Sequence, residues 1–154
     1  VQTCALPISH GVYQDIQLEI ANFNQNISAC PSCYFYKKEK LIHNNIQFAT
    51  NLKSPEDRHF LFQVGKYLKG TILEKNEGLM YYRVNQNSLS HNISKNLLLM
   101  QESFYLQTIQ DNLLAGEVKK IFTHKMAYQL LSTFVKLKDF KKVFKYFILY
   151  IKSF

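Results

Sequence analysis

Apolar side chains recur every three or four positions in the last third of the chain, most regularly at Phe140, Val143, Phe144, Phe147, Ile148 and Ile151. That spacing gathers one side of a helix, so residues 140–151 are expected to be helical, with Lys141, Lys142, Lys145 and Lys152 mostly on the other sides. Two more helices are expected before it, 97–114 and 117–135, with Gly116 as the stop between them. Upstream, Val12, Ile16, Ile20 and Phe23 recur at roughly helical intervals over 12–25, and 37–43 forms a short helix. Ser54 and Pro55 begin another: Ser54 is placed to cap it, and Pro55 takes the first helical position, where a missing N–H costs least. Phe60, Leu61, Val64, Tyr67 and Leu68 form its buried face, and Gly70 ends it.

Three other stretches read as strands. The aromatic and apolar run 27–36, around Pro31, suits a strand or strand-loop entering a sheet, and 71–74 and 79–84 suit two short strands joined by Lys75-Asn76-Glu77-Gly78, as a hairpin or sitting separately. Helices and strands together predict an α/β fold followed by an α-helical tail.

Composition fits a folded domain: 154 residues, 47% hydrophobic and 14% aromatic, with ten Tyr and twelve Phe. No run approaches the eighteen or so apolar residues of a membrane span. Val1-Gln2-Thr3-Cys4-Ala5-Leu6-Pro7-Ile8-Ser9 looks like translated sequencing-adapter sequence and is set apart as 1–9. The tail of a cleaved signal peptide is the other reading, but the segment has neither a basic lead nor a long apolar run. The chain is therefore expected to be a fragment. Cys30 and Cys33 have a spacing that can hold zinc or form a redox disulfide. No second cysteine pair follows, and neither His43 nor His59 belongs to a His-spaced motif. Small buried residues in an apolar strand is the plainer reading.

Charge is unevenly distributed. From Glu117 onward nine Lys stand against two acids, a net +7 of the chain's +8. The basic amphipathic helices can pack on the domain, lie on an anionic membrane or meet nucleic acid, and no nucleic-acid recognition motif accompanies them. Packing on the domain comes first among these expectations and a membrane surface second, and nucleic acid is not an expected partner.

Glu56 and Asp57 stand out chemically, because acids opening an apolar helix are either dipole-favoured helix-start residues or candidate bases. Their context is Cys33-Tyr34-Phe35-Tyr36-Lys37-Lys38, then Asn45-Ile46-Gln47-Phe48, then Glu56-Asp57, then Tyr81-Tyr82-Arg83-Val84-Asn85-Gln86-Asn87-Ser88. In that order these pieces resemble the second half of a family 2 glycosyltransferase of GT-A fold, over residues 27–91. The resemblance implies an inverting transfer of sugar from a nucleotide-sugar donor to a bacterial surface glycan or lipid-linked acceptor. It gives Asp57 the role of catalytic base and Glu56 that of orienting the loop or contacting acceptor. Arg83 and Arg58 become acceptor or phosphate contacts, with Arg58 and His59 otherwise solvent-side or supporting. Asn85 departs from the family segment, which often has His there.

Family members hold a divalent metal, Mg or Mn, with an Asp-x-Asp motif. The four Asp of this chain, Asp15, Asp57, Asp111 and Asp139, form none. The metal's ligands and the nucleotide-binding half are therefore expected upstream, and the fragment is expected to be inactive alone. The resemblance makes 10–92 the acceptor-side part of the catalytic domain and 93–154 the basic helical tail. It places the protein in the cytoplasm, at the inner face of the cytoplasmic membrane if the tail binds lipid. The alternative is a non-catalytic α/β binding module, attached to membrane or an acidic partner by that tail.

Overall fold

The computed structural model describes residues 2–3, 16–23, 34–52, 55–68, 81–82 and 95–154. Six helices dominate them: α1 Ile16–Ala21, α2 Lys38–His43, α3 Glu56–Tyr67, α4 Lys95–Gln110, α5 Gly116–Lys136 and α6 Phe140–Lys152. Among the described residues, extended pairing is confined to two-residue segments, β1 Gln2–Thr3 and β2 Tyr81–Tyr82, which run antiparallel with Gln2 opposite Tyr82 and Thr3 opposite Tyr81. The expected α/β GT-A arrangement is therefore corrected to a helical fold. Tyr34–Tyr36 belongs to no strand, and Tyr81–Tyr82 pairs with β1. Short aromatic runs such as these satisfy either period, and here helix-on-helix packing claims the core. Cys30, Cys33, Ser54, Gly70, Arg83, Asn85 and the expected strand 71–74 lie outside the described residues.

The core follows from helical stripes. In α5, Phe122, Met126, Leu130, Thr133 and Phe134 share a buried side, and α5 packs on α1, α4 and most extensively on α6. Phe62 of α3, Phe104 of α4 and Phe122 of α5 meet at its centre. Phe122 stands edge-on to the other two at 5.1 and 5.7 Å between ring centres, and all three rings are fully buried. Edge-to-face contact sets positive ring edges against negative faces, which adds to the burial of three large apolar surfaces.

Helix ends explain where the expected boundaries move. Phe23, Asn45, Asn112 and Lys138 adopt the left-handed conformation just after α1, α2, α4 and α5. After α5, Asp139 N–H donates to Phe134 O and Lys138 N–H to Val135 O, the paired bonds of a Schellman turn. Asp139 then caps α6 by accepting from Lys142 N–H at 3.1 Å. In three residues one helix ends and the next begins, which folds α5 and α6 into a hairpin. Gly116 does not stop α4, whose end is turned at Asn112. It opens α5 with φ +51° instead.

Two of the expected packing faces change. Tyr67 is exposed and Phe62 is buried, so the inner side of α3 runs through His59, Phe60, Leu61, Phe62 and Val64. In α6 the inner side is Val143, Tyr146, Leu149 and Tyr150, while Phe140, Phe144, Phe147, Ile148 and Ile151 face outward. No helix among the described residues is long and apolar enough to cross a membrane.

Candidate functional site

Pro55 precedes α3 as its cap residue rather than occupying its first turn. Its carbonyl accepts from Arg58 N–H at 3.1 Å and His59 N–H at 3.3 Å. Glu56 and Asp57 are then the first two helical residues, where free N–H groups and the helix dipole favour negative charge. Both are half-buried. Burial pushes the Asp57 carboxyl above the ordinary 3.8, and the neighbouring Glu56 charge pushes it the same way. A carboxylate shifted toward neutrality holds a proton more readily, the property that a general base needs.

The next two residues anchor the turn from below. Arg58 is not solvent-side: its guanidinium carbon lies 4.3 Å from the centre of the Phe23 ring, and burial brings its pKa down to about 10. It still carries its charge at neutral pH. Its Nε is buried with no hydrogen-bond partner among the described residues. His59 is only 3% exposed, another departure from the solvent-side expectation. Its Nε2 lies 2.8 Å from Asp111 Oδ2, and Nδ1 lies 3.3 Å from Gln63 Nε2. The Gln63 amide nitrogen can only donate, so Nδ1 is the accepting side of the ring and Nε2 faces the Asp111 carboxylate.

That contact belongs to a longer chain of polar groups. Asn51 Nδ2 donates to Gln107 Oε1 at 2.7 Å, and Gln107 Nε2 donates to Asp111 Oδ1 at 2.7 Å. At the other end Gln63 Nε2 donates to Gln47 O at 2.8 Å. The loop before α3, α3 itself and the end of α4 are thereby tied together two residues below Asp57. Sequence reasoning missed Gln63, Gln107 and Asp111. Their one visible signal is spacing, since His59 and Gln63 stand four apart on α3 and Gln107 stands four before Asp111, the residue just past α4.

A second carboxylate cluster joins α4 to α6. Glu102 is buried, accepts from the Tyr146 hydroxyl at 2.6 Å and pairs with Lys142 Nζ. Burial first, then the hydrogen bond to Glu102 and its charge, push the Tyr146 hydroxyl far above the ordinary 10.0. Lys142 also lies 4.6 Å from the centre of the Phe134 ring. One open concavity of about 640 Å³ is lined by Asn22, Glu117, Lys120, His124, Lys125 and Phe154, and does not include Asp57.

Of the four residues expected at the site, Glu56, Asp57 and Arg58 are consecutive at one helix start, and Arg83 lies outside the described residues. Among the described residues no three His, Cys, Asp or Glu side chains come together to hold a metal ion. No protein-family model matches the chain, nor does any curated protein or solved structure. The likeness to family 2 glycosyltransferases rests on the motifs alone.

Proposed function

We propose that this chain contributes the acceptor-activating part of a sugar-transfer enzyme. An acceptor hydroxyl, on a glycan or a lipid-linked carrier, attacks the anomeric carbon of a nucleotide-linked sugar. The new C–O bond forms as the bond to the diphosphate breaks, the nucleoside diphosphate leaves with the electron pair, and Asp57 takes the hydroxyl proton. What supports this reading is the Asp57 carboxyl itself: half-buried, pushed above its ordinary pKa and carried on a helix start anchored through Arg58 and His59. Glu56 keeps the expected role of orienting this turn or contacting acceptor. Arg58, stacked on Phe23, acts as a positioning residue, and contact with diphosphate charge falls to Arg83.

The test is sugar transfer by the full-length gene product carrying Asp57→Asn. A general base accounts for about 10²–10⁴ in rate, so kcat should fall by at least about a hundredfold with KM and the circular dichroism spectrum little changed. Undiminished transfer would remove Asp57 as the base.

A second reading is a non-catalytic binding module. It is favoured by the position of Glu56 and Asp57 in the first turn of α3, where the helix dipole alone accounts for two acids. Under that reading the intact protein turns over no nucleotide sugar. Under the sugar-transfer reading the protein works in the cytoplasm, at the inner face of the membrane if the basic tail binds lipid.

A further inference from the structure

Residues of a helix advance by about 100° each, which puts Phe140, Phe144, Phe147, Ile148 and Ile151 in one arc of about 100° on the outer side of α6. All five are exposed, Phe140 at 78%, Phe144 at 67% and Ile151 at 53%. Lys141, Lys145 and Lys152 occupy the adjoining arc and are also exposed, with Lys145 Nζ 4.0 Å from Glu102 Oε1. The opposite side, through Tyr146 and its contacts with Glu102 and Phe134, holds the helix to the rest of the protein. The outer stripe is thus a continuous apolar surface, flanked by a row of cations on a firmly seated helix.

We propose that this face of α6 docks on an anionic phospholipid bilayer, its axis parallel to the surface. The aromatic and aliphatic side chains enter the headgroup boundary, and the three lysines reach back to lipid phosphates. Thirteen residues make a helix of about 20 Å, too short to cross a hydrocarbon layer of about 30 Å but suited to lying along it. Charge selects the occupant, because the chain from Glu117 onward carries a net +7 and an anionic leaflet attracts it. A second copy of this chain is disfavoured, because one face of a helix of about 20 Å buries far less than the roughly 800 Å² per partner of a stable interface. The proposal stands apart from the sugar-transfer reading, since lipid binding needs neither Asp57 nor a donor.

The chain contains no Trp, so Phe144→Trp supplies a single fluorescent reporter on the outer face. With equimolar phosphatidylcholine–phosphatidylglycerol vesicles its emission should shift to the blue and the protein should co-sediment, while pure phosphatidylcholine binds it far more weakly. Replacing Lys141, Lys145 and Lys152 together by Ser should weaken partitioning about a hundredfold. Phe144→Ser with Ile151→Ser should weaken it about tenfold or more, the thermal midpoint staying close to the parent's. Absence of binding to the anionic vesicles overturns the proposal, as does unaltered binding by either set of variants. So does a concentration-dependent dimer in sedimentation velocity that Phe144→Ser dissociates while vesicles remain unbound. Asp57→Asn leaves vesicle binding unmoved whatever it does to sugar transfer, which keeps the two outcomes distinguishable.

Discussion

The two long sides of α6 are both rich in aromatic and aliphatic residues, yet only one is part of the folded core. On the inner side Tyr146 is fully buried, stacked on Phe134 at 5.5 Å, and its hydroxyl finds Glu102. On the outer side Phe140, Phe144 and Phe147 have no such covering. Hydrophobicity alone does not choose between these sides, and the more regular stripe is the exposed one. A hydrogen-bonding group makes the difference: Tyr146 is an aromatic that can also satisfy a buried carboxylate, so the side that carries it is the side that can close over Glu102.

This contrast can be broken from within. Tyr146→Ala removes both ring and hydroxyl and should cost about 3–5 kcal/mol in urea unfolding, the range for fully buried aromatics. Glu102→Ala leaves the Tyr146 hydroxyl and Lys142 without their acceptor in a buried place. We expect a loss of about 2–3 kcal/mol, non-additive with Tyr146→Phe in a double-mutant cycle. Tyr146→Phe alone should cost about 1.5 kcal/mol at neutral pH.

Tyr146→Phe also carries a pH signature. The folded-state pKa of Tyr146 is raised above the 10.0 of the unfolded chain, so its contribution to stability is complete below pH 10 and declines as pH rises beyond that. The wild type should therefore lose part of its advantage over Tyr146→Phe between pH 9 and pH 11, read as converging urea midpoints. On the outer side, Phe144→Ser should change stability by no more than about 0.5 kcal/mol. A loss approaching that of Tyr146→Ala would mean that the outer stripe is core after all.

The smallest effect is expected at Asp57. Its folded-state pKa is also raised, so the favourable contribution of its protonated form is complete below 3.8 and fades as pH rises through the folded value. Asp57→Asn should accordingly flatten the stability profile in that acid window, and at neutral pH should be no less stable than the parent by thermal melting.

Much of the helical layout is legible in the sequence. The periodic runs that become α5 and α6 lie within a few residues of their expected limits, and Glu56-Asp57 does open a helix. Helix ends were harder to see, because the left-handed turns fall on Phe23, Asn45, Asn112 and Lys138 rather than on glycine. Gly116 misled for the converse reason, its backbone freedom serving a helix start. At the candidate site the carboxylates were visible but their support was not. Asp111 is fifty-two residues from His59 in sequence, and nothing local to either residue announces the contact. Arginine is usually exposed, so sequence alone leaves Arg58 either solvent-side or supporting, and the Phe23 ring just after α1 decides for a supporting place.

A Cβ on Gly65 would come within 2.7 Å of Gln17 Cγ and 3.2 Å of the Gln17 backbone nitrogen. Gln17 is also the residue whose amide donates to Phe62 O at 2.7 Å and Leu113 O at 3.0 Å, holding α1 to α3 and to the loop between α4 and α5. Six residues are too few for a helix to persist in water unaided, since nucleating the first turn is unfavourable and little propagation follows. The helicity of α1 is thus conditional on an empty space one methyl wide in a different helix. Filling it would act as a release catch, freeing the segment that carries Phe23 and leaving Arg58 without the ring it rests on.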